Sequence, residues 1–93
     1  MAVLTGKLIG VLPEQSGEKD GKQWIRGGFV VQTIDNEFSR TVAFTVFGVD
    51  MCNLLKTLKT NETLLVTYRP ESHEYGLKWY TDLRCSRIQT LAK

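Results

Sequence analysis

The amino-acid sequence predicts an all-β domain with one short helix. Five segments are rich in β-branched and aromatic residues and are separated by turn residues, as is typical of strands. A sixth segment, between the third and fourth of these, repeats apolar residues at the spacing of a helix face. The chain has 93 residues, which is enough for one hydrophobic core, so residues 1–93 are expected to form a single domain.

The first two strands are predicted on either side of a long polar segment. Val3–Leu12 is aliphatic and ends at Pro13, and Trp24–Ile34 is the next strand-like segment. The polar stretch Glu14–Gln23 between them is longer than a plain hairpin turn, and we interpret it as a binding loop. The Gly27-Gly28 pair inside the second strand predicts a bulge or sharp bend that curls the sheet.

The third strand and the helix follow a turn at Asp35–Glu37. Arg40–Gly48 alternates, and this pattern places Val42, Phe44 and Val46 on one buried face. Asp50 is then predicted to cap a short helix. The apolar stripe of this helix consists of Met51, Leu54, Leu55 and Leu58.

The last two strands are predicted at Thr63–Arg69 and from Lys78 to about Thr90, with a turn over Ser72–Leu77. Pro70 cannot donate a backbone hydrogen bond, so it indicates an edge or a bulge. Phe29, Phe44 and Tyr68 share positions with buried aliphatic residues and are expected in the core.

This order of elements predicts an OB-fold, a five-stranded Greek-key barrel with its helix between strands 3 and 4. An SH3-like barrel does not need that helix, and an immunoglobulin-type sandwich needs about seven strands. OB barrels bind oligonucleotides or oligosaccharides on strands 2 and 3, beside the loops that join strands 1 to 2 and 4 to 5.

Aromatic and basic residues at those positions favour a nucleic-acid ligand. Trp24 and Phe47 are candidate stacking platforms, with covering of a barrel end or a subunit interface as the alternative. Tyr75, Trp79 and Tyr80 lie near the loop between strands 4 and 5, although alternation with Leu83 turns Trp79 toward the core. His73 is interpreted as a surface turn residue.

The chain has 12 basic and 10 acidic residues, which give a net charge of +2. This excess is too small to indicate nucleic-acid binding, so the argument depends on where the charges lie. The acidic residues Glu14, Glu18, Asp20, Asp35, Glu37 and Asp50 are predicted in loops or at the helix cap. Basic residues lie on or beside strands, and Arg26 shares a face with Trp24 as Arg84 does with Tyr80. The predicted nucleic-acid-binding residues are Lys7, Lys22, Trp24, Arg26, Arg40, Phe47, Tyr75, Lys78, Trp79, Tyr80 and Arg84. The alternative for the cations is an ordinary solvated strand face.

Catalytic chemistry is not indicated. Gly17–Gln23 resembles a phosphate-binding loop only superficially, because it is one residue short and lacks the Ser or Thr. One histidine and two cysteines, Cys52 and Cys85, lack the spacing of a zinc site or a nucleophilic triad. We therefore expect no enzyme activity, catalytic residue, cofactor or metal.

Reduced thiols, no export signal and no membrane-length apolar run favour a cytoplasmic protein.

Several segments resemble a known family. They are Thr5–Ile9, Leu12–Glu18, Phe29–Thr33, Phe47-Gly48, Glu71–Tyr75 and Trp79–Arg84. They look like the small single-domain OB-fold proteins of Bacteroidetes and their phages, a domain of unknown function similar in outline to single-stranded DNA-binding protein (SSB). The resemblance implies single-stranded DNA binding by a small homo-oligomer in a bacterial host cell, encoded by the host or by a phage. Phe47-Gly48 matches the segment of SSB that carries a base-stacking phenylalanine.

Two departures from SSB change what is expected. The chain ends at Thr90–Lys93 without the acidic tail through which SSB recruits partners, and the stacking tryptophan of SSB on strand 3 falls near Thr41. The leading hypothesis is sequence-tolerant coating of single-stranded DNA in replication or recombination, by a homodimer or homotetramer. The alternative is an OB-fold protein-interaction module, an accessory subunit of a replication or phage complex, and RNA is a further possible ligand.

Overall fold

A computed structural model describes residues 2–33 and 40–91. The predicted turn at Asp35–Glu37 lies outside the described residues. The elements, in chain order, are β1 (Ala2–Lys19), β2 (Lys22–Thr33), β3 (Thr41–Phe47), α1 (Val49–Thr57), β4 (Thr63–Tyr75) and β5 (Lys78–Thr90).

The five strands close into a barrel in the order β1-β2-β3-β5-β4. The first residues of β1 pair with β4, from Ala2 opposite Tyr68 to Lys7 opposite Thr63, and this pairing closes the barrel. All strand pairs are antiparallel except β3 and β5, which run parallel and meet at Thr45 and Arg84. The predicted five-stranded barrel with a helix between its third and fourth strands is confirmed.

The core lies inside the barrel, where alternate residues of every strand meet. Phe29 and Phe44 are completely buried and stack with ring centroids 5.3 Å apart, and Tyr68 packs on Phe44 at 5.0 Å. All three were predicted in the core, and the structure confirms them. The other buried hydrophobic residues are Leu8, Val31, Val46, Cys52, Leu55, Leu64, Val66 and Cys85.

The helix starts two residues earlier than predicted. Gly48 occupies the N-cap position with φ 98°, a conformation that glycine adopts without a steric penalty, and no side chain of the described residues caps the helix. Asp50 lies in the first turn, so the predicted Asp50 cap is wrong. Leu55 of the predicted stripe is buried, but Cys52, which the stripe did not include, is buried as well.

The Gly27-Gly28 pair does not form the bulge predicted for β2. The register shifts lie in β1, between Leu8 and Gly10 and between Leu12 and Gln15. Gly27 instead lets the helix approach, because a Cβ there would lie 3.2 Å from the Cys52 Sγ. The extra residues therefore lie in β1, and the second shift is opposite Gly27.

The polar segment predicted as a long loop, Glu14–Gln23, is mostly strand. β1 and β2 continue their pairing to Lys19 and Lys22, and only Asp20 and Gly21 form the turn. Both turn residues have positive φ, 54° and 78°, as the type I′ hairpin turn requires. We call this hairpin beyond the barrel the first arm (residues 14–27).

A second arm is formed by β4 and β5, residues 69–83. β4 was predicted to end at Arg69, but it pairs with β5 as far as Tyr75. The turn predicted over Ser72–Leu77 is only Gly76 and Leu77. Pro70 lies beyond the last residue of β4 that pairs with β1, which agrees with its predicted edge position.

The two cysteines are buried in the core, with both thiols free. Burial raises the pKa of the Cys85 thiol from its ordinary value of 9.0 to about 11. Burial also raises the pKa of Cys52. These thiols are therefore held in their neutral form at the pH values where an exposed thiol ionises.

We expect the free energy of unfolding to fall as the pH rises from 9 toward 11, the range set by the raised pKa of Cys85. In this range the unfolded chain has already lost the Cys85 proton while the folded chain retains it, so each pH unit costs about 1.4 kcal/mol. Below pH 9 this group contributes no pH dependence. Urea unfolding from pH 7 to 11 checks this, with Cys85→Ala as the control for the pH dependence that does not come from Cys85; an equal slope in both proteins would contradict it.

Candidate nucleic-acid interface

The outer face of β2 and β3 carries one aromatic ring and one cation directly opposite each other. Arg26 of β2 pairs with Phe47 of β3. Trp24, two residues earlier in β2, shares their face because side chains alternate along a strand. Trp24 and Phe47 are each 41% exposed, so both rings are accessible from solvent, and the predicted shared face of Trp24 and Arg26 agrees with the register.

A second cation reaches this face from β5. The Thr45–Arg84 pair between β3 and β5 brings Arg84 beside Phe47, and the Arg84 guanidinium carbon lies 4.6 Å from the centre of the Phe47 ring. Glu71 holds ion pairs with Arg69 at 3.0 Å and with Arg84 at 3.7 Å. The ring of Phe47 and two guanidinium groups therefore form one cluster, which we call the Phe47 cluster (Arg26, Phe47 and Arg84).

Trp24 packs against the opposite strand of the first arm. A Cβ on its partner Gly17 would be only 2.6 Å from the Trp24 indole, so glycine permits the ring to pack on the backbone of β1. The indole borders an open pocket of about 500 Å³ that also includes Ile25 and Val49. Trp24 thus contributes to the packing of the arm and still presents part of its ring to solvent.

The second arm presents aromatic residues on both faces. His73 and Tyr80 are cross-strand partners whose ring centroids lie 6.0 Å apart. By register, Tyr80 is on the face of Arg84, as predicted, and the Tyr75–Lys78 pair lies on this same face.

Trp79 lies on the opposite face and is 67% exposed. The prediction that it points to the core is wrong, because the arm extends past the barrel and leaves no core under that face. Of the aromatic residues predicted on this arm, the register therefore separates Trp79 from Tyr75 and Tyr80.

The remaining predicted cations are spread over the sheet. Lys22 lies at the tip of the first arm. Lys7 pairs with Gln32 and Arg40 hydrogen-bonds with Thr33, about 20 Å from Arg26 along β2 at the rise of a strand. The structure brings Arg26, Phe47 and Arg84 together, and does not bring Lys7, Lys22 or Arg40 to them.

The acidic residues are less separated from the sheet than predicted. Glu14 and Glu18 belong to β1 rather than to a loop, and Glu14 forms an ion pair with Lys56 of the helix at 3.3 Å. The outer surface of the first arm therefore carries charges of both signs.

An open groove of about 370 Å³ lies beside the Phe47 cluster. Leu12, Gln15 and Arg26 line one side, and Thr45 and Asp82 line the other. Gly28 is in the groove as well, where a Cβ would lie 2.8 Å from the Phe44 carbonyl oxygen. Sequence reasoning missed these residues apart from Arg26, because β1, β3 and β5 become neighbours only through the barrel.

The described ranges contain neither a metal-binding cluster of side chains nor a helix of membrane length. Among residues 2–33 and 40–91, no group of three or more His, Cys, Asp or Glu side chains is arranged to hold a metal ion. No helix in the same part of the chain is long and apolar enough to span a membrane.

Comparison with known proteins places the chain in a family. The model of the domain of unknown function DUF3127 matches residues 3–89. The chain belongs to the DUF3127 family. No curated protein matches the sequence of this DUF3127 protein.

A solved structure shares its fold. The crystal structure of the SSB domain of a Synechococcus protein superposes with a TM-score of 0.63 at 15% sequence identity, over 94% of this chain and 90% of that one. A small single-stranded DNA-binding protein from Streptomyces coelicolor gives a TM-score of 0.47 at 14% identity, over 96% of this chain and 91% of that one. The similarity to the Synechococcus domain supports the OB-fold that the strand order indicates.

Proposed function

We propose that this DUF3127 protein binds single-stranded DNA across the outer face of β2, β3 and β5, and that it does so without catalysis. The observation that carries the proposal is the Phe47 cluster, an exposed ring with a guanidinium group against it and a second one on its cross-strand partner. A ring of this kind stacks on a base of any type, while guanidinium groups bind the phosphates that connect the bases.

The predicted contacts divide between these two tasks. Phe47, Tyr80 and the exposed part of Trp24 stack with bases, and Arg26, Arg84 and Lys78 bind phosphates. Each stacked base contributes about 1–3 kcal/mol, so two or three engaged rings and the phosphate contacts account for roughly micromolar binding, about 8 kcal/mol. Tyr75, Lys22, Lys7 and Arg40 lie farther from the cluster and are proposed as contacts along a longer strand. Trp79 lies on the opposite face of the second arm and is left out of the proposed contacts.

The size of the site favours an oligomer. One OB barrel holds about 4–16 nucleotides, so a homodimer or homotetramer raises the effective affinity by linking several sites. We propose that such an oligomer coats exposed single strands in replication or recombination, in the cytoplasm of a bacterial cell, with a bacterial host or a phage as the source of the gene. The single-stranded DNA-binding function implied by the name of the Synechococcus SSB domain is consistent with this role.

The test is a fluorescence titration of the Trp79→Phe variant, in which Trp24 is the remaining one of the two tryptophans. A dT 30-mer is expected to quench Trp24, and its duplex with dA is not. Binding should weaken with salt, with a slope of log K against log salt near −2 for about three phosphate contacts. A matching U 30-mer tests RNA as the ligand.

Equal quenching of Trp24 by the single strand and by the duplex would contradict stacking. An unchanged affinity between 50 and 300 mM salt would contradict phosphate contacts by Arg26 and Arg84. If no strand binds in either fluorescence or mobility measurements, the proposed function is wrong.

A second candidate function is docking of a partner protein. It is favoured by the face of the second arm opposite Tyr80, where Trp79 is 67% exposed and the turn residue Leu77 is 99% exposed. In this case the protein is an accessory subunit of a replication or phage complex. Trp79→Ala then abolishes partner capture and leaves single-strand binding unchanged.

A further inference from the structure

The groove beside the Phe47 cluster contains a carboxylate where phosphate binding would call for a cation. Asp82 of β5 lies directly opposite Glu71 of β4. Glu71 is neutralised by Arg69 and Arg84, whereas no ion pair to Asp82 is formed within residues 2–33 and 40–91. Asp82 is exposed to solvent and borders the groove, so its oxygens are available to a ligand there.

The other side of the groove carries hydrogen-bond donors. The Arg26 guanidinium donates to the Gln15 side-chain oxygen, which orients it within the groove. Leu12 and the backbone of Gly28 also line the groove. The volume of about 370 Å³ is at the small end of ligand pockets, which run from roughly 300 to 1,000 Å³. A groove lined by a carboxylate, a guanidinium and an apolar side chain suits a flat molecule with donors on one edge and acceptors on another.

A nucleobase has this chemistry, and a phosphate does not, because the Asp82 carboxylate repels it. Guanine offers two adjacent donors, N1–H and the N2 amino group, which match the two oxygens of a carboxylate. Its O6 and N7 acceptors form the edge that arginine binds in bidentate fashion. Thymine has a single N–H between two carbonyl oxygens, and these are repelled by a carboxylate. Adenine and cytosine place an acceptor nitrogen beside their amino group.

We infer that this groove binds one guanine of the single strand, with Asp82 accepting hydrogen bonds from N1 and N2 and Arg26 donating to O6 and N7. This inference rests on the proposed function and adds a base preference to it: where a guanine occupies the groove, Arg26 binds its O6 and N7 instead of a phosphate. Binding is then tolerant of sequence at the stacking rings but selective for guanine at the groove.

The experiment compares dT 15-mers that carry no substitution, one central deoxyguanosine or one central deoxyinosine, by competition against a labelled dT 15-mer. A single guanine in a thymine strand avoids four-stranded guanine structures. Inosine lacks only the N2 amino group, so it removes one of the two donors to Asp82. We expect the guanine strand to bind about tenfold more tightly than the dT strand, with the inosine strand between them.

Asp82→Asn is expected to remove the preference for guanine and to raise the affinity for dT slightly, since a negative charge is lost. The matched control is Glu74→Gln, because Glu74 lies on the same arm as the partner of Trp79 and on the opposite face. The control should keep the preference. Circular dichroism verifies the fold of each variant, and Asp82→Ala gives a second test if Asp82→Asn is unstable.

The outcomes separate the two proposals. If the dT strand does not bind at all, the proposed function fails and the inference fails with it. If dT binds but the three strands bind equally, the inference is overturned and single-strand binding stands. A folded Asp82→Asn protein that still prefers guanine also overturns the inference, since the preference then arises elsewhere.

Discussion

Replacing Phe47 with alanine is expected to weaken the binding of a dT 30-mer by at least tenfold. The substitution removes a stacking surface that contributes about 1–3 kcal/mol per base. It also removes the ring on which the Arg84 guanidinium rests at 4.6 Å, so the cation loses its fixed position beside the strand. Fluorescence anisotropy with a labelled dT 30-mer at low salt measures the change.

Trp79→Ala is the matched control for Phe47→Ala. Both changes delete an exposed aromatic ring, but Trp79 lies on the face of the second arm away from Arg84. We expect Trp79→Ala to change the affinity less than twofold. The strand must bind elsewhere if Phe47→Ala, or the Trp24→Ala/Phe47→Ala double variant, keeps an affinity within twofold of wild type. This conclusion requires that fold and oligomeric state are intact.

Replacing Phe44 with alanine is expected to have the largest effect on stability. Phe44 is 1% exposed and contacts both Phe29 and Tyr68, so its loss leaves a cavity in the centre of the barrel. Deletion of a buried phenylalanine costs about 3–5 kcal/mol, which is a large share of the 5–15 kcal/mol typical of a whole domain. Urea unfolding followed by circular dichroism measures the loss.

Phe47→Ala serves as the control for Phe44→Ala on the same strand. Phe47 is 41% exposed on the outer face, so we expect less than about 1.5 kcal/mol of destabilisation there. We thus expect Phe44→Ala to lower mainly the stability and Phe47→Ala to lower mainly the affinity for the strand. Equal losses of stability in the two variants would mean that the division between inner and outer faces is wrong.

The barrel could be predicted from the sequence because its strands are buried on one face. Alternation identified the inner positions of β3, and the stripe around Leu55 identified the helix. The same alternation correctly paired Arg26 with Trp24 and Arg84 with Tyr80 on common faces. Burial imposes this period on the sequence wherever a strand covers the core.

The two arms could not be predicted in this way, because beyond the barrel, at residues 14–24 and 72–82, both of their faces are in water. Without a core beneath them, polar residues such as those of Glu14–Lys19 carry no alternating pattern and resemble a loop. The Asp20-Gly21 pair was a usable signal, since this dipeptide favours a two-residue hairpin turn. Trp79 was misjudged for a related reason: it shares a face with Leu83, but only Leu83 lies over the barrel.

The groove depends on contacts that no local pattern encodes. Asp82 and Arg26 are distant in the sequence and line one groove because β3 pairs with both β2 and β5. Within residues 2–33 and 40–91, the ladder joins β3 to β5 at the Thr45–Arg84 pair. The register of that single pair determines which residue of β5 lies beside Phe47.

The closure of the barrel also has a consequence for how the protein folds. The arms are hairpins with two-residue turns, and such local hairpins form in about 1–10 μs. The pairing of Ala2 with Tyr68 must instead bring together residues that are far apart in the sequence, and such non-local pairing slows folding to milliseconds or longer. The pairing of β3 with β5 at Thr45 and Arg84 is non-local as well. We therefore expect the contact of Arg84 with Phe47, which depends on this pairing, to form after the arms have folded.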